Sequence, residues 1–210
     1  MPTQKDHATR GERIPVAISA RHAHLSQSTI DRLFGTAYKL NPRTELSQHG
    51  QYAAEETVTL IGPHGSIEDV RLMGPPRPDD QIEISRTDEF TLGIDAPLRL
   101  SGDLHDSPGI TLEGPAGRAT ITHGVISARR HVHMNPADAA RHGVRDLQSV
   151  QVKIDSDGRD LIFGDVIVRV SPAFSLELHL DTDEANAAGL SQGDLAELIL
   201  VAQSAGSGHE

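Results

Sequence analysis

Ile18-Ser19-Ala20-Arg21-His22-Ala23-His24-Leu25 returns in the second half of the chain as Ile126-Ser127-Ala128-Arg129-Arg130-His131-Val132-His133-Met134. Each copy is an Ile-Ser-Ala-Arg lead-in, with one extra arginine in the second, followed by His-x-His. On a strand, residues i and i+2 share a face. Each copy therefore presents two imidazoles side by side, half of a site for a metal that accepts nitrogen ligands. One His-x-His in a chain with 12 histidines is an ordinary surface feature. Two copies in the same local context indicate duplicated structural units.

The 210 residues suit two domains of ordinary size, each with an adequate core. We expect a mainly β fold with short helices (α+β): two tandem, duplicated small β-barrels. The expected divisions are a disordered tail over 1–13, a first barrel over 14–105, a second over 106–202 and a disordered tail over 203–210. The signals are many short alternating runs separated by Gly/Pro turns. Glu56–Gly62 and Ile67–Leu72 flank the Pro63-His64-Gly65 turn, and Ile110–Glu113 and Arg118–Thr122 flank Gly114–Gly117. Short helices are expected over Gln27–Leu33 behind Ser26 or Ser28, over Asp88–Leu92, and from Pro136 to about His142 behind Asn135. A further one is expected over Glu184–Ala188 behind Asp183. Aromatic residues make up only 3%, so the cores rest on Val, Ile, Leu and Ala.

A net charge of −11 argues against a general nucleic-acid or membrane-surface binder, but leaves room for a local basic pocket. No window approaches a membrane span, and Met1–Arg13 lacks the apolar core of a secretory signal. The absence of cysteine removes thiolate metal sites, disulfides and a Cys nucleophile, so any metal must use His and carboxylate. Each His-x-His then needs a third ligand. His179 suits one copy because it lies on an expected strand between Leu178 and Leu180; a half-buried structural histidine is the competing reading. Glu83 suits the other, standing between Ile82 and Ile84; an outward residue of an alternating strand is equally compatible with that position. Three ligands with an open position is the pattern of a catalytic metal. Arg77, in the stiff run Gly74-Pro75-Pro76-Arg77-Pro78, suits a phosphate or oxyanion. Arg71, Arg129 and Arg130 would add positive charge nearby; ordinary surface arginine is the competing reading, and the stronger one for Arg130. No Walker loop, dinucleotide fingerprint or Gly-x-Ser-x-Gly elbow is present.

Ser19–Ser26, Leu46–Val58, Val70–Arg77, Gln81–Asp88, Arg130–Met134 and Asp181–Gly189 resemble, in order and over nearly the whole of Ile14–Leu200, the PduL-type phosphate propanoyltransferases. The resemblance implies reversible transfer of a short acyl group, propanoyl or acetyl, between coenzyme A and inorganic phosphate. It implies two β-barrels and two divalent metal ions, usually zinc, at their junction. His22, His24 and Glu83 would hold one ion and His131, His133 and His179 the other, with Arg77 on phosphate. CoA contacts would fall on Ile18, Ser19, Ala20, Arg71, Arg129 and Asn186. The partners implied are acyl-CoA, phosphate and acyl phosphate; a homo-oligomer is left open. The family often has lysine where this chain has His64, which weakens a phosphate contact there at neutral pH. Some members carry an N-terminal helix that addresses them to a bacterial microcompartment; the polar Met1–Arg13 does not resemble one, so free cytoplasm is expected. The competing readings are another His/Glu-ligated metal-dependent hydrolase and a metal-stabilised module without catalysis.

Overall fold

A computed structural model describes residues 13–200. The expected tails thus lie outside the described residues, apart from Arg13, which opens the first strand. In chain order the first half comprises β1 (Arg13–Ser19), β2 (His22–His24), α1 (Gln27–Phe34), β3 (Pro42–Glu45), β4 (Tyr52–Ile61), β5 (Ser66–Gly74), β6 (Gln81–Glu83), α2 (Arg86–Leu92) and β7 (Leu98–Arg99). The remainder comprises β8 (Ile110–Gly114), β9 (Gly117–Ile121), β10 (Val125–Ala128), β11 (His131–Met134), α3 (Pro136–His142), β12 (Ser149–Ile154), β13 (Leu161–Val170), β14 (Glu177–Asp181), α4 (Thr182–Ala188) and β15 (Leu195–Ile199). The fold is mainly β with short helices, as expected. One unit is a closed barrel ordered β1-β14-β11-β13-β12-β15; the other is a curled sheet ordered β7-β10-β6-β2-β5-β4-β8-β9, with β3 paired to β4. No described helix is long and apolar enough to cross a membrane.

Each unit has its own aliphatic core. Ala23, Leu60, Leu72, Ile82 and Leu112 belong to the curled sheet, and Val132, Val152, Val168, Leu178 and Ala196 to the barrel; all are fully buried. Period-2 alternation does the sorting: Ala23 and Val132, at the centres of the two His-x-His motifs, turn into these cores, so the flanking histidines point the other way.

The sheets do not divide where the expected boundary at 105/106 lies. β1 runs parallel to β14, with Ala17 beside His179, and so completes the barrel of the second repeat. Its repeat equivalent, β10, runs parallel to β6, with Ile126 beside Glu83, and joins the sheet of the first. β8 and β9, after residue 106, also belong to the curled sheet. The two repeats therefore exchange their leading strands, and the chain crosses between units twice, at Ala20-Arg21 and at Arg129-Arg130. Strand membership follows hydrogen-bond partners rather than chain order, and repeat spacing carries no information about that choice.

The helices are capped close to expectation. Ser26 caps α1, Ser85 caps α2 with a reciprocal Asp88 box, and Asn135 caps α3, with Pro136 in its first turn and Gly143 left-handed beyond it. Two starts differ. α2 begins at Arg86, and α4 is capped by Asp181 with Glu184 closing the box, so Asp183 lies inside the helix. The sequence Asp181-Thr-Asp-Glu184 offers two candidate caps, and the box selects the one three residues before Glu184.

Candidate metal and anion centre

The crossing points bring the two His-x-His motifs face to face across the cleft between the units. In the curled sheet, β2 lies between β5 and β6, and His22 pairs with Glu83 across the antiparallel β2–β6 ladder. In the barrel, β11 lies between β13 and β14, and His131 pairs with His179 across β11–β14. Glu83 stands two residues before the α2 cap, Ser85, and His179 two residues before the α4 cap, Asp181. The third member of each cluster is thus supplied from the same position of the same strand–helix unit. In each cluster the donor atoms lie within 4.8 Å of one another: His22, His24 and Glu83 in one, His131, His133 and His179 in the other.

The donors are prepared alike. His22 Nδ1 donates to the carbonyl of Ala20, and His131 Nδ1 to that of Arg129, each at 2.8 Å. Both bonds leave Nε2 bearing the lone pair and aim it into the cluster. Burial pushes the His24 imidazole down to about 2, with His22 and Arg77 adding to the effect. Burial likewise takes His131 to about 4 and His133 to about 2, reinforced by their histidine neighbours. All three are therefore neutral, the form that binds metal. Burial opposes charge on Glu83, but its neighbours His22 and Arg77 and the hydrogen bond from Gln81 outweigh it and hold the carboxyl below its usual range. Gln81 Nε2 donates to Glu83 Oε1 at 2.6 Å and to Ser101 Oγ at 2.8 Å, fixing the carboxylate from behind.

The donor set also passes a test of its own. Both ring nitrogens of His133 are buried and have no hydrogen-bond partner among the described residues. His179 Nε2 is buried 3.2 Å from Glu177 Oε2, off the line of a hydrogen bond. Leaving buried polar atoms unsatisfied costs about 1–3 kcal/mol each. A divalent ion on the cluster would satisfy one nitrogen of His133 and Nε2 of His179, so these residues fit a metal.

A cleft of about 780 Å³ opens on both clusters. Ile18, Ser19, Ala20, Arg71 and Arg77 line it. Arg77 is pinned by its own N–H, which donates to Leu25 O at 3.0 Å, and by a bond from Nη1 to Ser101 Oγ at 3.4 Å. Burial lowers its pKa, against an opposing pull from Glu83. Arg71 Nη1 is held by the carbonyls of Ala54 and Glu55. Arg129 lines a smaller pocket that shares Glu83, His131 and His179 with the cleft. Asn186 is exposed on α4 and lies outside both pockets; its carbonyl accepts from Arg159. His64 packs against Gly93 at the end of α2, away from the cleft.

The arginine that precedes each histidine pair braces the junction. Arg21 grips Asp88 of α2 with Nε at 2.9 Å from both carboxylate oxygens, and Arg130 grips Glu184 of α4 at 2.7 Å. Arg130 is therefore a framework residue and not a free surface charge. Arg21→Ala is expected to destabilise the protein by about 1–2 kcal/mol, because Asp88 stays buried while Arg21 itself is partly solvated. Urea denaturation reads this directly, and an unchanged midpoint would mean the pair is idle.

Several cleft residues were not singled out from sequence: Ser101, Phe174, Glu177 and Arg169, with Gln81 buried behind Ser101 and Glu83. Phe174 stacks on His133 with centroids 4.0 Å apart. Ser47 Oγ donates to Glu177, and Gln48 exchanges bonds with Ser175, so the loop after β3 is tied to the opposite barrel. Arg169 carried one legible signal, a charge between Val168 and Val170 on an alternating strand, the same signal that marked Glu83.

Residues 15–191 match the family model described as phosphate propanoyltransferase. The chain belongs to the phosphate propanoyltransferase family. A phosphate propanoyltransferase of Thermotoga maritima is 53% identical over 186 residues, covering 89% of either chain. One from Citrobacter rodentium is 54% identical over 176 residues, and one from Salmonella typhimurium is 52% identical over 176, each covering 84% of this chain and 83% of its own. The family match spans the closed barrel up to α4 and the whole curled sheet, so it includes every residue of both clusters and Arg77.

Proposed function

We propose that this chain is a phosphate acyltransferase that moves a short acyl group, propanoyl or acetyl, reversibly between coenzyme A and inorganic phosphate. The observation that carries the reading is the meeting of a three-histidine cluster, a His/His/Glu cluster and Arg77 on one cleft, in a chain from the phosphate propanoyltransferase family. His22, His24 and Glu83 would hold one divalent ion and His131, His133 and His179 a second, zinc being compatible with nitrogen and carboxylate donors. Such ions would supply Lewis-acid stabilisation of negative charge on phosphate and on the thioester carbonyl oxygen.

The chain's own residues supply position and charge. Arg77 offers a planar fork for two phosphate oxygens and keeps its charge at any working pH. The proline run and the bond to Leu25 O hold that fork still. One phosphate oxygen attacks the thioester carbon; the C–O bond forms, the C–S bond breaks, and CoA leaves as its thiolate. Bringing both substrates into one cleft turns an encounter of two anions into a local event. The arginines offset the repulsion, and they do so in a chain whose overall charge is negative. With no cysteine, the enzyme cannot form a thioester intermediate, which supports direct transfer in a ternary complex. CoA would lie along Ile18–Ala20, Arg71 and Arg129, with Asn186 beyond the cleft rim, in a cytoplasmic setting.

The deciding experiment is CoA release from propanoyl-CoA, followed with a thiol reagent, with and without phosphate and before and after chelation. Release that needs both phosphate and metal is expected. Release that needs metal alone would replace the transferase with a thioester hydrolase. No release from folded, metal-loaded protein, with acetyl-CoA as well, would leave a binding module.

A further inference from the structure

Arg169 is a cationic group facing the cleft that the proposed reaction leaves unused. It sits on β13 directly beside His133 of β11, half-buried. Its guanidinium carbon lies 5.8 Å from the centroid of Phe174, the ring that stacks on His133. Among the described residues no carboxylate forms an ion pair with it, whereas Arg21, Arg86, Arg99, Arg118 and Arg130 all have one. It lines the same cleft as Arg77, and its charge acts on Arg77, His131 and His133 alike. Arg77 also lacks an ion pair, Glu83 acting on it only from a distance. Two guanidiniums facing one cavity, one from each unit, repel each other unless an anion with several oxygens lies between them.

We propose that Arg169 is a second anion-binding residue that grips the phosphoryl group opposite Arg77, so that phosphate and acyl phosphate are held by one guanidinium from each unit. The inference rests on the acyltransferase reading for its substrate and on the unpaired, cleft-facing charge for its site. It also accounts for Phe174, whose ring lies against both Arg169 and His133.

The test is steady-state kinetics of metal-loaded wild type, R169A, R169Q and R169K in both directions, with calorimetric binding of inorganic phosphate to each. R169A and R169Q are expected to raise KM for phosphate and for acyl phosphate by about tenfold to a hundredfold while leaving KM for acyl-CoA within about twofold. R169K keeps the charge and loses the fork, and should fall between. R169Q preserves length, so it decides the matter if R169A fails to fold. A phosphate KM unchanged in R169Q overturns the proposal, as does a rise confined to acyl-CoA, which would assign Arg169 to the phosphates of CoA. If wild type transfers nothing to phosphate, the acyltransferase reading fails; phosphate calorimetry still reads Arg169, and equal affinity in wild type and R169Q would then overturn the site as well.

Discussion

Replacing His133 with alanine is expected to lower acyl transfer by about a thousandfold or more, the loss of roughly 4 kcal/mol of charge stabilisation at the reacting centre. It is also expected to halve the metal bound per chain. His133 is the sharpest test of the metal reading because both its ring nitrogens are buried without a hydrogen-bond partner among the described residues, so its packing on Phe174 leaves the polar atoms unexplained. The variant removes those stranded polar atoms, and the metal-free protein should not lose stability by the full cost of a deleted core side chain. Metal content by elemental analysis and transfer rate must fall together. His105→Ala, at a side chain 79% exposed that belongs to neither cluster and does not line the cleft, should change neither. A His133 variant that keeps its full metal complement and its rate would remove the second cluster from the mechanism.

Acid should unfold the metal-free protein earlier than it unfolds the metal-loaded one. In the unfolded chain these histidines titrate near 6.5; in the fold, burial holds His24 and His133 to about 2 and His131 to about 4. Above pH 6.5 both states carry neutral imidazoles and stability is flat with respect to them. Below it the unfolded chain takes up protons that the folded chain refuses, so stability falls from 6.5 down to about 4 for His131 and further for the other two. Each imidazole contributes about 2 kcal/mol of loss between pH 6.5 and 5, and three such losses rival the whole stability of a typical domain. Glu83 and Glu177, held below the usual carboxylate range, add their loss only below about 4.5, so the histidine phase stands apart. Bound metal competes with the protons and should move the fall to lower pH. Urea midpoints between about pH 7.5 and 5, with chelator and with added zinc, read both effects. A flat profile down to pH 5 in chelator would mean that the three imidazoles are not held neutral by the fold.

Much of the site was legible in the chain because its chemistry is local. His-x-His on a strand fixes which face the imidazoles share, whatever the strand pairs with. Gly74-Pro75-Pro76-Arg77-Pro78 announces a rigid arginine without reference to the rest of the fold. Glu83 and His179 were legible as charged or polar residues set between aliphatic neighbours. Arg169 sends the same signal from Val168-Arg169-Val170, but in a strand with no motif beside it. Asn186 came from the resemblance alone, and it lies on the exposed side of α4, whose buried residues are Ala185 and Ala188.

What residue type and period dictate, the sequence determined by itself: short strands with aliphatic cores, capped helices, two duplicated histidine pairs, and the absence of any thiol chemistry. What depends on which strand meets which, only the tertiary structure decided. The exchange of β1 and β10 between the repeats, the closure of one unit and not the other, and the convergence of Arg77 and Arg169 on one cleft are all contacts between residues far apart in the chain. A strand's alternation says which face it buries, but its edges are the same backbone N–H and C=O groups in every strand, and so its partner is chosen by the packing of the whole.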